Sequence, residues 1–209
     1  MKKIYLARHG ESTSNVSHVV QGSEDILTAV GEKQADVLAE RLSKLSFQNL
    51  LVSDYVRTKQ TVAPLLQKVS IEPMYSPLLR EARRPSSLVG SPISGEGFAS
   101  FDELSKVHVL EADWHFEDEE NFHDIVARIT NLFALISTLE GDTVLVSHGR
   151  LAIYIVMYVI MGGNLTPAVW QTDFATFTTT NTGITVFSYK ETEKLWALTT
   201  YNDHAHFAE

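Results

Sequence analysis

Three short segments hold residue types that bind and transfer anions. They are Arg8-His9-Gly10-Glu11, Ser53-Asp54-Tyr55-Val56-Arg57 and Ser147-His148-Gly149-Arg150. The planar guanidinium fork of arginine matches a phosphate or a carboxylate. A neighbouring imidazole can act as nucleophile or proton donor. Taken singly, each signal is weak, because a histidine after a strand is more often structural and an arginine at a helix start is usually a surface ion pair. Their weight depends on whether the chain brings them together.

Each of the three follows a short apolar, strand-like run: Lys3-Ile4-Tyr5-Leu6-Ala7, Asn49-Leu50-Leu51-Val52 and Thr143-Val144-Leu145-Val146. In open parallel sheets, ligands bind at the carboxyl ends of the strands, where the following helices also present N–H groups. Helices are expected between the strands. One runs from about Thr28, its cap, to Leu45, with Ala35, Leu38 and Leu42 on one face. A second passes through Val62, Leu65, Leu66 and Val69 and is bent by Pro64. Phe122, Ile125, Ile129, Leu132, Ile136 and Leu139 mark a third. Leu151 to Met161 is apolar on most sides and closed by Gly162-Gly163. Gly183–Tyr189 and Leu195–Tyr201 read as two further strands. The expected fold is a three-layer α/β/α arrangement with a mostly parallel central sheet. Residues 80–121, rich in proline, glycine and acid, read as a lid-like insertion over the carboxyl edge of the strands, within one domain spanning 1–209. Its acidic run, Glu111 to Asp124, reads as a solvated face.

The 209 residues include 17 Lys+Arg against 26 Asp+Glu, a net charge of −9, and no cysteine. That balance argues against a nucleic-acid partner and removes disulfides and thiolate chemistry. Ile4–Ala7 is too short for a signal peptide and Leu151–Met161 too short for a membrane span, so no membrane partner and a cytoplasmic location are expected. A homodimer stays open.

Leu6-Ala7-Arg8-His9-Gly10-Glu11-Ser12, with Asn15 following, resembles the signature of the histidine phosphatase superfamily, the phosphoglycerate mutase-like proteins. Gln21-Gly22 with Leu27–Ala35, Ser53–Thr61, Val146–Gly149 and Asn181–Ile184 are similar to its later motifs, in order over nearly the whole chain. The resemblance implies that His9 attacks phosphorus and that water then hydrolyses the phosphohistidine. It implies that Arg8, Arg57 and a protonated His148 bind the phosphoryl charge, that Asn15, Gln21 and Gly22 line the substrate pocket, and that neither metal nor cofactor is required. Glu81 resembles the general acid by position, although its surroundings, Leu79–Pro85, depart from the commoner pattern. Glu96, Asp102 and Glu103 are the reserves.

A metal-independent phosphatase acting on a small phosphorylated substrate is therefore the expected function. The alternatives are a phosphoglycerate mutase, whose usual Glu-Arg-His-Tyr-Gly stretch is replaced here by Glu81-Ala82-Arg83-Arg84-Pro85, and a non-catalytic phospho-ligand binder. Arg80, Arg83 and Arg84 either bind a second anionic group or pair with the acidic run. Glu11 is expected to orient loop backbone, Arg150 to bind phosphate or form an ion pair, and His204 and His206 to lie in a frayed tail.

Overall fold

The computed structural model describes residues 2–171 and 177–207. One sheet has the order β3-β2-β4-β1-β5-β6, built from β1 (Lys3–Arg8), β2 (Asn49–Val52), β3 (Pro73–Tyr75), β4 (Thr143–Ser147), β5 (Ile184–Lys190) and β6 (Leu195–Asp203). The first four are parallel; β5 pairs antiparallel with β1, and β6 antiparallel with β5. The helices are α1 (Thr13–Ser17), α2 (Ala29–Leu42), α3 (Val56–Leu66), α4 (Glu96–Val107), α5 (Phe122–Thr138), α6 (Gly149–Ile160) and α7 (Pro167–Gln171).

The period-2 alternation of strand side chains divides the core in two. Ile4, Leu6, Leu51, Leu145 and Phe187 face α5 and α6, joining Ile125, Ile129, Leu132, Ile136 and the apolar residues of α6. Ala7, Leu50, Val52, Val144, Val146 and Ile184 face the other way, onto Leu38, Ala39 and Leu42 of α2 and Val62 and Leu65 of α3. Two covered faces give the expected three layers. They also explain why β2 and β4 read as continuous apolar runs instead of alternating ones.

Local chemistry sets the ends. The Thr28 side chain accepts the Gly31 N–H and caps α2. Asn121 and Asp124 form a reciprocal box at the start of α5. Gly162 and Gly163 follow α6 with φ of 59° and 82°, a left-handed region that favours glycine. Helix α2 stops at Leu42, before Leu45, and α3 stops at Leu66, before Val69, with Pro64 inside it, where the missing N–H removes the helical donor for the Gln60 carbonyl.

Three elements depart from the sequence reading. The edge strand β3 is short and begins at Pro73, a position where a missing donor is tolerated. Helix α4 occupies part of the segment read as irregular, with only Phe101 of its side chains buried. The acidic run is not one solvated face. Asp118 accepts the Ser86 N–H, Glu117 accepts the Ser87 hydroxyl, and Glu120 accepts both the Arg83 N–H and the Arg128 guanidinium. These contacts fold the run back onto residues 83–87.

Topology alone marks where a ligand fits. β1 and β4 are neighbours, yet the helices after them, α2 and α6, cover opposite faces. The crevice between the carboxyl ends of such a pair is the preferred ligand site of open α/β sheets. His9 follows β1 and His148 follows β4.

Candidate active site at the carboxyl edge of the sheet

His9, Arg57 and His148 meet in that crevice, all three at 0% exposure. Hydrogen-bond chemistry fixes their protonation. His9 Nδ1 lies 2.7 Å from the Gly10 carbonyl, which can only accept, so Nδ1 carries the proton. Arg57 can only donate, and its Nε points at His9 Nε2 at 3.3 Å. His9 is therefore neutral with a lone pair on Nε2, the form a nucleophile needs. Arg57 also donates to His148 Nδ1 at 2.9 Å and to the Gly22 carbonyl at 2.7 Å. His148 must then hold its proton on Nε2, which donates to Ser53 Oγ at 2.8 Å.

His148 is therefore neutral in this arrangement. Burial, followed by the charges of Arg57, His9 and Arg8, pushes its pKa well below the ordinary histidine range. His9 is lowered in the same way, by burial first, then Arg57 and Arg8. Both arginines are themselves lowered by burial, and the charge of Glu81 opposes this in each case. Arg8 is held by the Thr179 carbonyl at 2.5 Å, while its buried Nε has no hydrogen-bond partner among the described residues.

The loop that presents His9 needs a close backbone crossing. A Cβ on Gly31 would lie 2.0 Å from the Glu11 carbonyl oxygen, and one on Gly10 would lie 2.6 Å from that of Gly31. Glycine at both positions lets the first turn of α2 press against the loop after β1. The Gly10 N–H donates to Thr61 Oγ1 at 3.0 Å, tying the loop to α3. As expected, Glu11 orients this loop: its carboxylate accepts the Thr28 hydroxyl and its N–H meets Gln34.

Next to the buried trio, across Gly22 and Tyr55, lies a cleft of about 430 Å³, lined also by Asn15, Gln21, Glu81, Arg83, Arg84 and Arg150. Asn15 uses its carbonyl oxygen on Ser12 and Asn181. Gln21 gives its amide nitrogen to Ser12 and Asp25, and the Gly22 carbonyl holds Arg57. These groups of Gln21 and Gly22 therefore shape the cleft. Glu81 accepts the N–H groups of Ala82 and Leu151 at 2.9 Å and of Arg150 at 3.1 Å, anchoring it to the start of α6. None of the reserve carboxylates lines the cleft; Asp102 is paired with Lys106. Arg80 is held by Asp54 through two hydrogen bonds and lies over Tyr55, outside the cleft lining.

The model of the histidine phosphatase superfamily (branch 1) matches residues 4–204. The chain belongs to that superfamily. A curated relative, "Probable phosphoglycerate mutase GpmB" of Yersinia enterocolitica, is 38% identical over 82 residues, 39% of this chain and 38% of the relative. The match therefore spans less than half of that protein's length. A putative alpha-ribazole-5'-P phosphatase from Escherichia coli shares the fold with a TM-score of 0.79 at 20% identity, covering 97% of this chain and 96% of that one. A phosphoserine phosphatase from Entamoeba histolytica, solved with 3-phosphoglyceric acid, gives 0.78 at 21% identity, covering 99% of each chain.

Several residues of this site carry roles that the sequence reading did not assign. Ser53 fixes the tautomer of His148, and its place directly after β2 was a usable signal. Tyr55 packs its ring edge against His148, 5.2 Å between centroids, and lies 5.1 Å from the Arg57 guanidinium. Asn181 donates to the His9 carbonyl at 3.0 Å. Arg128 and Glu120 secure the segment that bears Glu81, and both stand far from any motif. The tail is not frayed at His206, which meets Arg41 and Thr182. No helix among the described residues is long and apolar enough to cross a membrane.

Proposed function

We propose that this histidine phosphatase superfamily member hydrolyses a small phosphomonoester through a phosphohistidine on His9. The observation that carries this reading is the neutral His9 whose Nε2 lone pair meets Arg57. An anion entering the cleft would take over that guanidinium and leave the lone pair free. Nε2 then forms a bond to phosphorus as the ester P–O bond breaks. Glu81 gives its proton to the leaving oxygen. In the second half, Glu81 takes a proton from water, which attacks phosphorus and breaks the N–P bond. Charge on the equatorial oxygens is met by Arg8, Arg57 and the free Asn15 amide N–H groups. A phosphoryl dianion beside His148 favours its protonated form, so Nδ1 becomes a second donor when substrate is bound. Residues 80–121 act as a lid within a single domain.

The test is phosphate release from p-nitrophenyl phosphate with and without EDTA, together with trapping of the enzyme-bound group. Turnover is expected to persist in EDTA. An acid-labile, base-stable phosphoryl label is expected on the native chain and not on His9→Ala. Label that persists on the variant would refute the assignment. Interconversion of 3- and 2-phosphoglycerate, run on the same protein, addresses the mutase reading suggested by the name of the curated relative.

A further inference from the structure

We propose that the leaving group of the substrate carries a second anionic group, a carboxylate or a phosphate, and that Arg84 binds it. This rests on the phosphatase reading and adds a specificity residue to it. Arg84 is half-buried and lines the catalytic cleft together with Glu81, Asn15 and Gln21. It also lines a second hollow of about 360 Å³, beyond Ala82, whose wall includes Trp114, Phe122, Tyr154 and Trp170. Arg84 thus stands where the two spaces adjoin, on the segment that presents the proposed acid. A leaving group protonated by Glu81 has to extend past it.

The partners of the other arginines make Arg84 distinct. Arg41 pairs with Asp203, Arg80 with Asp54 and Arg128 with Glu120. Arg83 is exposed, and its backbone N–H donates to Glu120. Arg84 lies on the segment onto which the acidic run folds back, yet no carboxylate of the described residues is paired with it. Its guanidinium instead lies over Phe98 and Phe101, 5.5 and 5.1 Å from the ring centroids. Stacking of this kind holds the plane of the fork and uses none of its N–H donors. Arg8 and Arg57, the arginines assigned to the phosphoryl group, share that lack of a paired carboxylate. Arg83 and Arg150 also line the cleft and add to its positive field, while the held fork of Arg84 sets the register of the second anion.

The experiment compares esters that differ in one group. 3-Phosphoglycerate and glycerol 3-phosphate share a carbon skeleton and differ by carboxylate against hydroxymethyl. Propane-1,3-diyl bisphosphate and propyl phosphate form the second pair. In the native chain, kcat/KM is expected to favour the doubly anionic member of at least one pair by about tenfold or more, the range of a charge-assisted hydrogen bond. The pair that responds distinguishes carboxylate from phosphate. Arg84→Met should bring that ratio close to one. Arg84→Lys should leave it intermediate, because charge is kept and the fork is lost. The preference should also shrink as salt is raised. If Arg84→Met is too unstable to assay, the Arg84→Lys ratio and the native salt dependence decide. A native chain indifferent to both pairs, or a preference that survives at Arg84→Met, overturns the proposal. Phosphohistidine formation on p-nitrophenyl phosphate with no such preference removes this inference and leaves the phosphatase reading intact. Failure to form label from any ester removes both.

Discussion

The floor of the site and the 80–121 segment above it are held together by different physics. His9, Ser53, Arg57 and His148 are at 0% exposure, and each is tied to another member of the group or to nearby backbone. They leave the ends of β1, β2 and β4 and the first turn of α3, in a sheet covered on both faces. The 80–121 segment buries few apolar side chains. Leu88 and Phe101, with Val20 from the loop before α2, form a small cluster of their own against Phe98 and Phe116. The rest is fastened by carboxylates reaching backbone N–H groups and hydroxyls. A region with few buried apolar contacts opens at lower free-energy cost than a sheet core. The floor therefore suits chemistry that needs fixed atoms, and the segment suits selection among leaving groups.

Glu81 belongs to both regions, so replacing it tests their division most sharply. Glu81→Gln should slow alkyl phosphomonoesters by about 10²–10⁴-fold, as for loss of a general acid. Esters of acidic phenols need little protonation, and their phosphorylation step should suffer much less. The glutamine NH₂ would face a backbone N–H that now donates to the carboxylate, either that of Arg150 or those of Ala82 and Leu151, so a modest loss on both classes is expected as well. Phosphoenzyme should accumulate with the activated ester, because the same carboxylate serves water. Equal slowing of phosphorylation by alkyl and nitrophenyl esters would mean that Glu81 only positions the loop.

The floor was legible in the sequence because two rules agree there. Strand ends of a parallel sheet converge, and Arg-His-Gly and Ser-His-Gly each follow a run of apolar β-formers. Parity even assigns the faces, since Leu145 and its neighbours Val144 and Val146 point to opposite layers. The segment was less legible because its order comes from pairs distant in sequence. Glu120 and Arg83, or Asp118 and Ser86, carry no periodic signal. Nor did the sequence distinguish Arg80, which pairs with Asp54, from Arg84, which packs on two aromatic rings. The tautomer of His148 escaped for a related reason. It depends on Arg57 donating to Nδ1, a contact that no motif encodes.

Arg128 joins the two regions. From α5 it donates to the Arg80 carbonyl at 2.5 Å and to Glu120 at 2.8 Å, with side chains only 11% and 14% exposed. Arg128→Met would leave the Glu120 carboxylate with the Arg83 N–H alone. A cost of about 1–3 kcal/mol is expected from the unpaired polar groups, read by urea unfolding. Because the segment bearing Glu81 loosens, alkyl-ester turnover should fall more than aryl-ester turnover, and Arg128→Lys should restore part of it. A variant that is destabilised while the two ester classes change equally would show that the pair is structural only.

Acid should weaken the floor before it weakens the segment. Both His9 and His148 have folded-state pKa values well below the ordinary value of 6.5. The unfolded chain binds these protons near pH 6.5 and the folded chain does not. Stability from this source is complete above that pH and is lost as the pH falls toward the folded values. Unfolding free energy should therefore decline steadily from pH 7 to pH 5. Stability that is flat over this range would mean that the histidines are not held neutral inside the fold.

The opposite sign is expected at Glu119, with the smallest effect. This half-buried carboxyl lines the second hollow, and burial raises its pKa to about 7 against the pull of the Phe116 N–H and the charge of His115. A folded pKa above the ordinary 4.5 means that the folded chain binds the proton more tightly than the unfolded chain. The associated stability is complete below about pH 4.5 and is lost as the pH rises through about 7. Glu119→Gln mimics the protonated acid and keeps an acceptor for Phe116. At pH 8 it should melt higher than the native chain by about 1–3 °C, a modest figure because solvent screens a half-exposed group. At pH 5 the two should melt together. The same variant isolates the histidines, since in its background the decline from pH 7 to pH 5 should become steeper. Equal melting at pH 8 would mean that solvent reaches the Glu119 carboxyl freely, and would refute its opposing pH response.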